Sequence, residues 1–182
     1  MDRIIRADLY RHNGLTGTKG FLRGLMLPGF RYMFLLRKAS KYYKYSIVGI
    51  FYRLLISRYK YKYGFQIPTA TKIGEGFYIP HFGSIVINPN VIIGSNCNIA
   101  HGVTIGRTNR GKLKGFPVIG DKVWIGTGSV IVGNIHIGSN VLIAPNSFVN
   151  IDVPDNSIAI GNPVKIIKKD DPTEGYINFI LK

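Results

Sequence analysis

The stretch of residues 79–106, IPHFGSIVINPNVIIGSNCNIAHGVTIG, brings isoleucine back at almost every sixth position. A period of six is neither the 3.6 of a helix nor the alternation of a half-buried strand. It predicts short strands joined by corners, three to a coil of about 18 residues, stacked into a solenoid with the isoleucines inside. The register is kept, with two extra residues before Ile87 and eight before Ile119, by Ile67, Ile73, Ile79, Ile87, Ile93, Ile99, Ile105, Ile119, Ile125, Ile131, Ile137, Ile143 and Val149.

A second set of inward positions lies four residues after these isoleucines, and most of its side chains are small. Its members are Thr71, Phe77, Gly83, Val91, Cys97, Val103, Val123, Ser129, Ile135, Val141, Ser147 and Val153. Cys97 is therefore expected to be a buried small side chain rather than a nucleophile. Because it is the only cysteine, no intrachain disulfide can form, and a reducing, cytoplasmic setting is expected.

His81 and His101 each stand two residues after a register isoleucine, and they are 20 residues apart. If the two extra residues lie in a corner, the imidazoles are neighbours on adjacent coils, within about 5 Å. The same column continues to Thr127 and Pro145. Such a pair suits a general base, a metal site or an idle surface pair.

A zinc site is the sharper alternative for these histidines. In β-helical enzymes of the γ-carbonic anhydrase type, paired zinc-binding histidines lie five residues apart. The residues five after His81 and His101 are Val86 and Gly106, and His136 belongs to another face. No metal is therefore expected.

The front of the chain carries most of the charge. Residues 1–63 hold 14 of the 24 Lys and Arg residues against only Asp2 and Asp8, a net charge of +12 of the total +15, together with nine of the 11 tyrosines. Tyrosine beside Lys and Arg suits a membrane interface, so this region is a candidate for peripheral membrane association, including on the inner face of the cell membrane. The alternative is a subunit-packing region with a solvated basic face. Nucleic acid is not expected, because no binding module accompanies the charge.

Three long runs carry a family resemblance over about residues 64–169. GFQIPTATKIGEGFYIPHFGSIVINPNVIIGSNCNIAHGVTIG, VIGDKVWIGTGSVIVGNIHIGSNVLIAPNSFV and VPDNSIAIGNPVKIIKK resemble the serine O-acetyltransferase branch of the hexapeptide-repeat acyltransferases. They look still closer to members that acetylate capsular or exopolysaccharide sugars. The resemblance implies a left-handed parallel β-helix, acetyl-CoA as donor, and a homotrimer with active sites between subunits.

The fold expected is thus mostly β: a left-handed parallel β-helix with a short N-terminal α-helical region. Residues 1–65 are expected to form a basic, tyrosine-rich helical region with a break near Pro28 and Gly29. Residues 66–168 form the acyltransferase domain, with a loop extruded at 107–117, and 169–182 form a C-terminal tail.

The resemblance also implies roles for individual residues. His81 is the catalytic histidine, His101 assists it, and Gln66 takes the position of a carboxylate that orients the histidine. The residues implied in coenzyme A binding are Gly106, Gly126, Thr127, Ala144, Pro145, Lys165 and Lys168. The loop RTNRGKLKGFP has four basic residues and no acid, so it is either a cradle for phosphates or for an anionic acceptor sugar, or a solvated flap.

The acceptor is expected to be a sugar hydroxyl. Where the family holds serine with an acidic residue and an Arg-His pair, this sequence has Pro80, Gly115 and Phe116. The function expected is therefore O-acetylation of a cell-surface polysaccharide or its lipid-linked precursor. The alternatives are serine acetylation for cysteine synthesis and a non-catalytic trimeric scaffold.

Overall fold

The isoleucine register forms the interior of the molecule. In the computed structural model, which describes residues 1–181, every member of the register is buried, and none is more than 8% exposed. Equivalent residues of successive coils are paired in register; Ile99, Ile125 and Ile143 lie side by side on three neighbouring strands. Each coil therefore stacks the same side chain on the one below, which explains why the period is so strictly kept.

Three parallel sheets form the sides of this solenoid, in the orders β1-β3-β6-β9-β12, β10-β7-β4-β2 and β14-β13-β11-β8-β5. The pairings of β1 to β13 are parallel, whereas β14 runs antiparallel to β13. The strands are β1 (Phe65–Gln66), β2 (Lys72–Ile73), β3 (Ile85–Ile87), β4 (Ile92–Ile93), β5 (Asn98–Ile99), β6 (Thr104–Gly106), β7 (Val118–Ile119), β8 (Val123–Ile125), β9 (Val130–Val132), β10 (His136–Ile137), β11 (Val141–Ile143), β12 (Phe148–Val149), β13 (Ser157–Ile160) and β14 (Lys165–Lys168).

The two extra residues before Ile87 lie in a corner, as expected. Val86 and Ile87 pair directly with Thr104 and Ile105. One inward assignment is wrong, however: Gly83 is partly exposed, and Ile85 fills the interior in its place, with 0% exposure. The insertion moves the inward position two residues along the chain.

Four helices precede the solenoid: α1 (Arg3–Tyr10), α2 (Gly17–Gly24), α3 (Pro28–Lys41) and α4 (Ile47–Tyr63). The break expected near Pro28 lies between α2 and α3, and Pro28 itself begins α3, since its fixed φ suits the first helical position. The expected β-helix is confirmed, but "mostly β" is wrong, because the four helices hold more residues than strands of two to four residues each. Corners occupy much of every hexapeptide. Within residues 1–181, no helix is both long and apolar enough to cross a membrane.

A buried ion pair fixes the helices to the first coil. Arg37 of α3 donates to the carboxylate of Asp8 in α1 at 2.9 Å, and the same carboxylate accepts from the backbone N–H of Phe77 at 3.0 Å. The Asp8 side chain is 1% exposed and that of Arg37 is 10% exposed. Arg37 also donates to the carbonyl of Gly74. The helical front and the solenoid therefore form a continuous packed unit.

The segment after β14 returns along the solenoid to α1. Tyr176 packs on Trp124 with ring centroids 4.8 Å apart, and its carbonyl accepts from the Asn98 side chain. Arg11 donates to the carbonyl of Asn178 at 2.8 Å and to the side chain of Asn98 at 2.6 Å. This segment connects the top of the solenoid to its helical front. Position 182 of the expected tail lies outside the described residues.

Candidate active site

The structure brings His81 and His101 together on neighbouring corners. Their ring centroids are 5.9 Å apart and their planes are nearly perpendicular, at 88°. Both side chains are exposed, so an acceptor molecule can reach them. Two adjacent imidazoles on a rigid corner can take up and pass on a proton.

The position of this pair depends on a glycine. Gly83 has a φ of +142°, and a Cβ there would lie 3.0 Å from the Cβ of His101. A larger residue would therefore press on the second histidine. The corner itself is joined to the end of α4, because the N–H of Gly83 donates to the carbonyl of Tyr63 at 2.9 Å.

Backbone N–H groups at a corner can stabilise a developing oxyanion, but two of those beside the histidines already donate to carbonyls of neighbouring coils. The N–H of Gly102 donates to Ser84 at 2.6 Å, and the N–H of Gly128 donates to His101 at 3.1 Å. Both bonds hold neighbouring coils together. Oxyanion stabilisation by these two groups would need the coils to separate, so we exclude them from this role.

Gln66 lies in a groove at the C-terminal ends of β1, β3 and β6, and neither histidine lines it. The groove has a volume of about 380 Å³, and its polar lining includes Lys60, Gln66 and Asn88, with Gly106 at its edge. Within the part of the chain described, the Gln66 side chain makes no hydrogen bond to either imidazole. The structure thus does not bring Gln66 into contact with the histidine pair, and the orienting role expected of it stays a prediction.

The residues implied in coenzyme A binding divide into two groups. The first continues the histidine column upward: Asn146 donates to the carbonyl of Thr127 at 2.8 Å, and a Cβ on Gly126 would lie 2.6 Å from the nitrogen of Pro145. Ala144 is next to Pro145 and is buried. The column from His81 through His101 and Thr127 to Pro145 is therefore continuous along the corner.

The second group lies away from this column. Gly106 borders the groove of Gln66, while Lys165 and Lys168 are exposed on β14, opposite Ile160 and Ser157 of β13. The two lysines are therefore at the end of the solenoid distant from His81.

The basic loop at residues 107–117 is an ordered excursion. Thr108 and Gly115 exchange two backbone hydrogen bonds, of 3.1 and 3.0 Å, and Asn134 donates to the carbonyl of Leu113. Arg107 packs over the ring of Phe116 at 5.5 Å. The loop is thus fixed to the next coil, with Arg110, Lys112 and Lys114 exposed.

Two other expectations concern metals and thiols. Within residues 1–181, no group of three or more His, Cys, Asp or Glu side chains is arranged to hold a metal ion. Cys97 is fully buried, and burial raises the pKa of its thiol to about 12. A neutral, inaccessible thiol is not a nucleophile.

Sequence reasoning missed Lys60. It lies within a basic, tyrosine-rich helix, where its charge is one of many. Only the close return of α4 to β1, through the left-handed Gly64 at its C-terminus, directs it to the groove. A weak signal was present, since Lys60 lies one helical turn before Gly64 and Gln66 follows two residues after that glycine.

Comparison with known proteins identifies the same family in sequence and in structure. The model of the family described as bacterial transferase hexapeptide (six repeats) matches residues 116–150. The serine acetyltransferase of Helicobacter pylori is 35% identical over 146 residues, 80% of this chain and 85% of that protein. Serine acetyltransferase 2 of Arabidopsis thaliana is 39% identical over 114 residues, and the match covers only 35% of its length.

Solved structures agree. The Neisseria gonorrhoeae serine acetyltransferase in complex with serine has a TM-score of 0.73 at 31% identity, covering 91% of this chain and 68% of that one. The Brucella abortus serine acetyltransferase in complex with coenzyme A has a TM-score of 0.76 at 30% identity, covering 92% and 67%. The likeness therefore includes the helical front as well as the β-helix.

These relatives correct one expectation and confirm another. The expected polysaccharide acceptor, with its capsular branch, is wrong, because the similar proteins are serine acetyltransferases at 35–42% identity. The departures at Pro80, Gly115 and Phe116 led to the wrong acceptor. The absence of the charged residues with which the family holds serine does not by itself show that another acceptor is bound. The expected class, an acyltransferase with acetyl-CoA as donor, is confirmed.

Family membership rests on the identity that extends along most of the Helicobacter protein and on the shared parallel β-helix with its helical front. The chain belongs to the serine acetyltransferase family, whose members are acyltransferases that use acetyl-CoA.

Proposed function

We propose that this protein transfers the acetyl group of acetyl-CoA to the hydroxyl of L-serine. The observation that carries the proposal is the exposed His81–His101 pair, 5.9 Å apart on adjacent corners, in a chain 35% identical to a serine acetyltransferase along 85% of its length. An exposed imidazole pair supplies the proton transfer that the reaction needs, without a metal.

In the proposed mechanism His81 is the general base. It accepts the hydroxyl proton as the serine oxygen attacks the thioester carbonyl, and the C–S bond breaks as the tetrahedral intermediate collapses. The imidazolium then returns the proton to the departing thiolate, which leaves as coenzyme A. His101 is close enough to contact the acceptor or to polarise His81, and its backbone carbonyl is fixed by Gly128.

Serine has a carboxylate that needs a cation. Pro80, Gly115 and Phe116 supply none at the positions the family uses, so we assign this role to Lys60. Its side chain lines the groove that also contains Gln66 and Asn88. An ammonium beside two amides is well suited to bind a carboxylate by charge-assisted hydrogen bonds.

The donor would lie along the corner above the histidines. Thr127 and the exposed Pro145 continue the histidine column there, with the buried Gly126 and Ala144 beside them, and we assign the pantetheine arm to this side of the corner. We assign the phosphates to cationic groups, either the fixed loop at 107–117 or Lys165 and Lys168. Acetyl-CoA as donor and a single buried thiol favour a cytoplasmic setting.

We also infer a homotrimer of left-handed coils, as the family resemblance implies. One face of the solenoid supports subunit contact: Ile92 and Val118 are neighbours on β4 and β7 and are 41% and 37% exposed. Paired apolar residues on a flat sheet are typical of interfaces. Light scattering of the purified protein tests the expected mass of three chains.

The test of the activity is thiol release from acetyl-CoA with and without L-serine. We expect serine-dependent release, and a loss of about 10²-fold to 10⁴-fold in kcat for His81→Ala. His136→Ala is the matched control, because His136 is exposed on β10 of another face. It should retain wild-type activity.

Two outcomes would refute the proposal. Thiol release that does not depend on serine would show that L-serine is not the acceptor. Full activity of His81→Ala would show that His81 is not the general base. No release at all from folded wild-type protein would favour the scaffold alternative.

A further inference from the structure

One side of α4 is apolar and uncovered. Ile47, Phe51 and Leu54 follow each other at helical spacing and are 88%, 56% and 67% exposed, while Ile50 beside them is 45% exposed. Tyr61, one to two turns further along, is 79% exposed. The opposite side of the same helix contains the buried Ile56 and Tyr63, which pack on α3 and β1. We call this uncovered side the α4 outer face.

The α4 outer face is flanked by cations and has no nearby acid in the sequence. Lys44, Arg58 and Lys62 are exposed along it, and residues 9–74 include neither Asp nor Glu. The two acids before this range are already engaged, Asp2 with Lys41 and Asp8 with Arg37. The charges that residues 9–74 contribute around its apolar centre are therefore all positive.

Charge decides which occupant fits this face. A second copy meeting it through a two-fold axis would bring the same cations into contact with each other, and the apolar centre would lie between repelling rims. An anionic lipid surface matches both parts, because the headgroups attract the cations and the acyl boundary accepts the apolar side chains. The exposed Tyr43 and Tyr45, at 69% and 66%, suit the level of the headgroups.

We propose that the α4 outer face docks on an anionic lipid surface. Ile47, Ile50, Phe51 and Leu54 enter the headgroup boundary, and the flanking Lys and Arg side chains contact lipid phosphates. The helix lies in the plane of the surface and does not span it, in accord with its charged flanks.

The helix that carries the α4 outer face is also joined to the histidine corner. The carbonyl of Tyr63, at the end of α4, accepts from the N–H of Gly83, two residues after His81. Phe82, between them, is 67% exposed. The histidine corner therefore adjoins the C-terminal end of α4, on the side of the helix opposite the α4 outer face.

Vesicle flotation of the full chain tests the proposal. We expect the wild type to float with vesicles of phosphatidylcholine containing phosphatidylglycerol, and to float much less with phosphatidylcholine alone. The triple variant Ile47→Ser, Phe51→Ser, Leu54→Ser should lose about tenfold or more of the partitioning. Its matched control replaces three exposed isoleucines of the solenoid, Ile151, Ile160 and Ile167, with serine, and should bind as the wild type does.

A second set of variants separates the charge contribution. Lys44→Gln, Arg58→Gln, Lys62→Gln should reduce flotation with anionic vesicles, whereas loss of three exposed solenoid cations, Lys72, Lys122 and Lys169, should not. Circular dichroism verifies that all variants are folded, which is expected because the changed side chains are exposed.

Three results would overturn the proposal. They are wild-type protein that does not float with anionic vesicles, equal flotation of the two serine triples, and a fall in assembly mass for the α4 triple by light scattering. The last would identify a second copy as the occupant. The assay uses no substrate, so its outcome is independent of whether the protein acetylates serine.

Discussion

Acidification should destabilise the protein through His12. This imidazole is buried, at 7% exposure, with ring centroids 4.7 Å from Tyr78 of the first coil and 5.9 Å from Phe30 of α3. Burial, with a smaller contribution from the neighbouring Arg11 charge, lowers its pKa from 6.5 to about 4. Protonation is therefore harder in the folded state than in the unfolded chain.

The sign and size follow from linkage. Between about pH 6.5 and pH 4 the unfolded chain binds a proton at His12 and the folded protein does not, so stability falls as the pH falls through this window. At about pH 5 the shifted pKa of His12 lowers the free energy of unfolding by about 2 kcal/mol, and near pH 7 this loss is almost absent. Because His12 lies between helices and solenoid, the loss should loosen the helical front.

Urea unfolding at about pH 7 and pH 5 measures the effect. His12→Phe retains an aromatic ring but cannot titrate. Between about pH 7 and pH 5 its free energy of unfolding should fall by about 2 kcal/mol less than that of the wild type. Other titrating groups contribute equally to both proteins and cancel in the difference. His136→Gln, at an exposed position, is the control. Identical pH dependence of wild type and His12→Phe would refute the reasoning.

Two further predictions concern the ladder and the groove. Ile125→Ala, at a fully buried position of the isoleucine register, should lower the free energy of unfolding by about 3 kcal/mol. Ile151→Ala, at a 45% exposed position, should change it by less than about 0.5 kcal/mol. Comparable losses of the two variants in denaturant titrations would contradict the packing described. Lys60→Met should raise KM for serine about tenfold and leave KM for acetyl-CoA unchanged. Lys62→Met, on the same helix but outside the groove, should alter neither KM. An unchanged KM for serine in Lys60→Met would show that Lys60 does not bind the acceptor.

The solenoid could be predicted because its order is local and repeated. Each inward isoleucine contacts the equivalent isoleucine of the next coil, so a single position of the hexapeptide determines both burial and register. The prediction went wrong at Gly83, where an insertion offered two residues for one inward position. Spacing alone does not distinguish Gly83 from Ile85; the hydrophobic gain of burying a large side chain does.

The helical front was less predictable because its contacts are distant in sequence. Nothing near Asp8 indicates that Arg37 and the N–H of Phe77 will surround it. The histidine pair, in contrast, followed from the same counting as the ladder. Lys60 was missed because its place in the groove depends on how α4 meets β1, a tertiary arrangement without a sequence period.

The contact between Arg11 and Asn178 joins residues 167 positions apart, and this separation has a consequence for the order of events during translation. At a synthesis rate of roughly 5–20 residues per second, Arg11 leaves the ribosome on the order of ten seconds or more before the carbonyl it binds. The coils can stack one by one as they emerge, whereas the seam between α1 and the solenoid stays incomplete until the segment that carries Tyr176 and Asn178 arrives. The contacts of α1, which is synthesised before the solenoid, are therefore completed last.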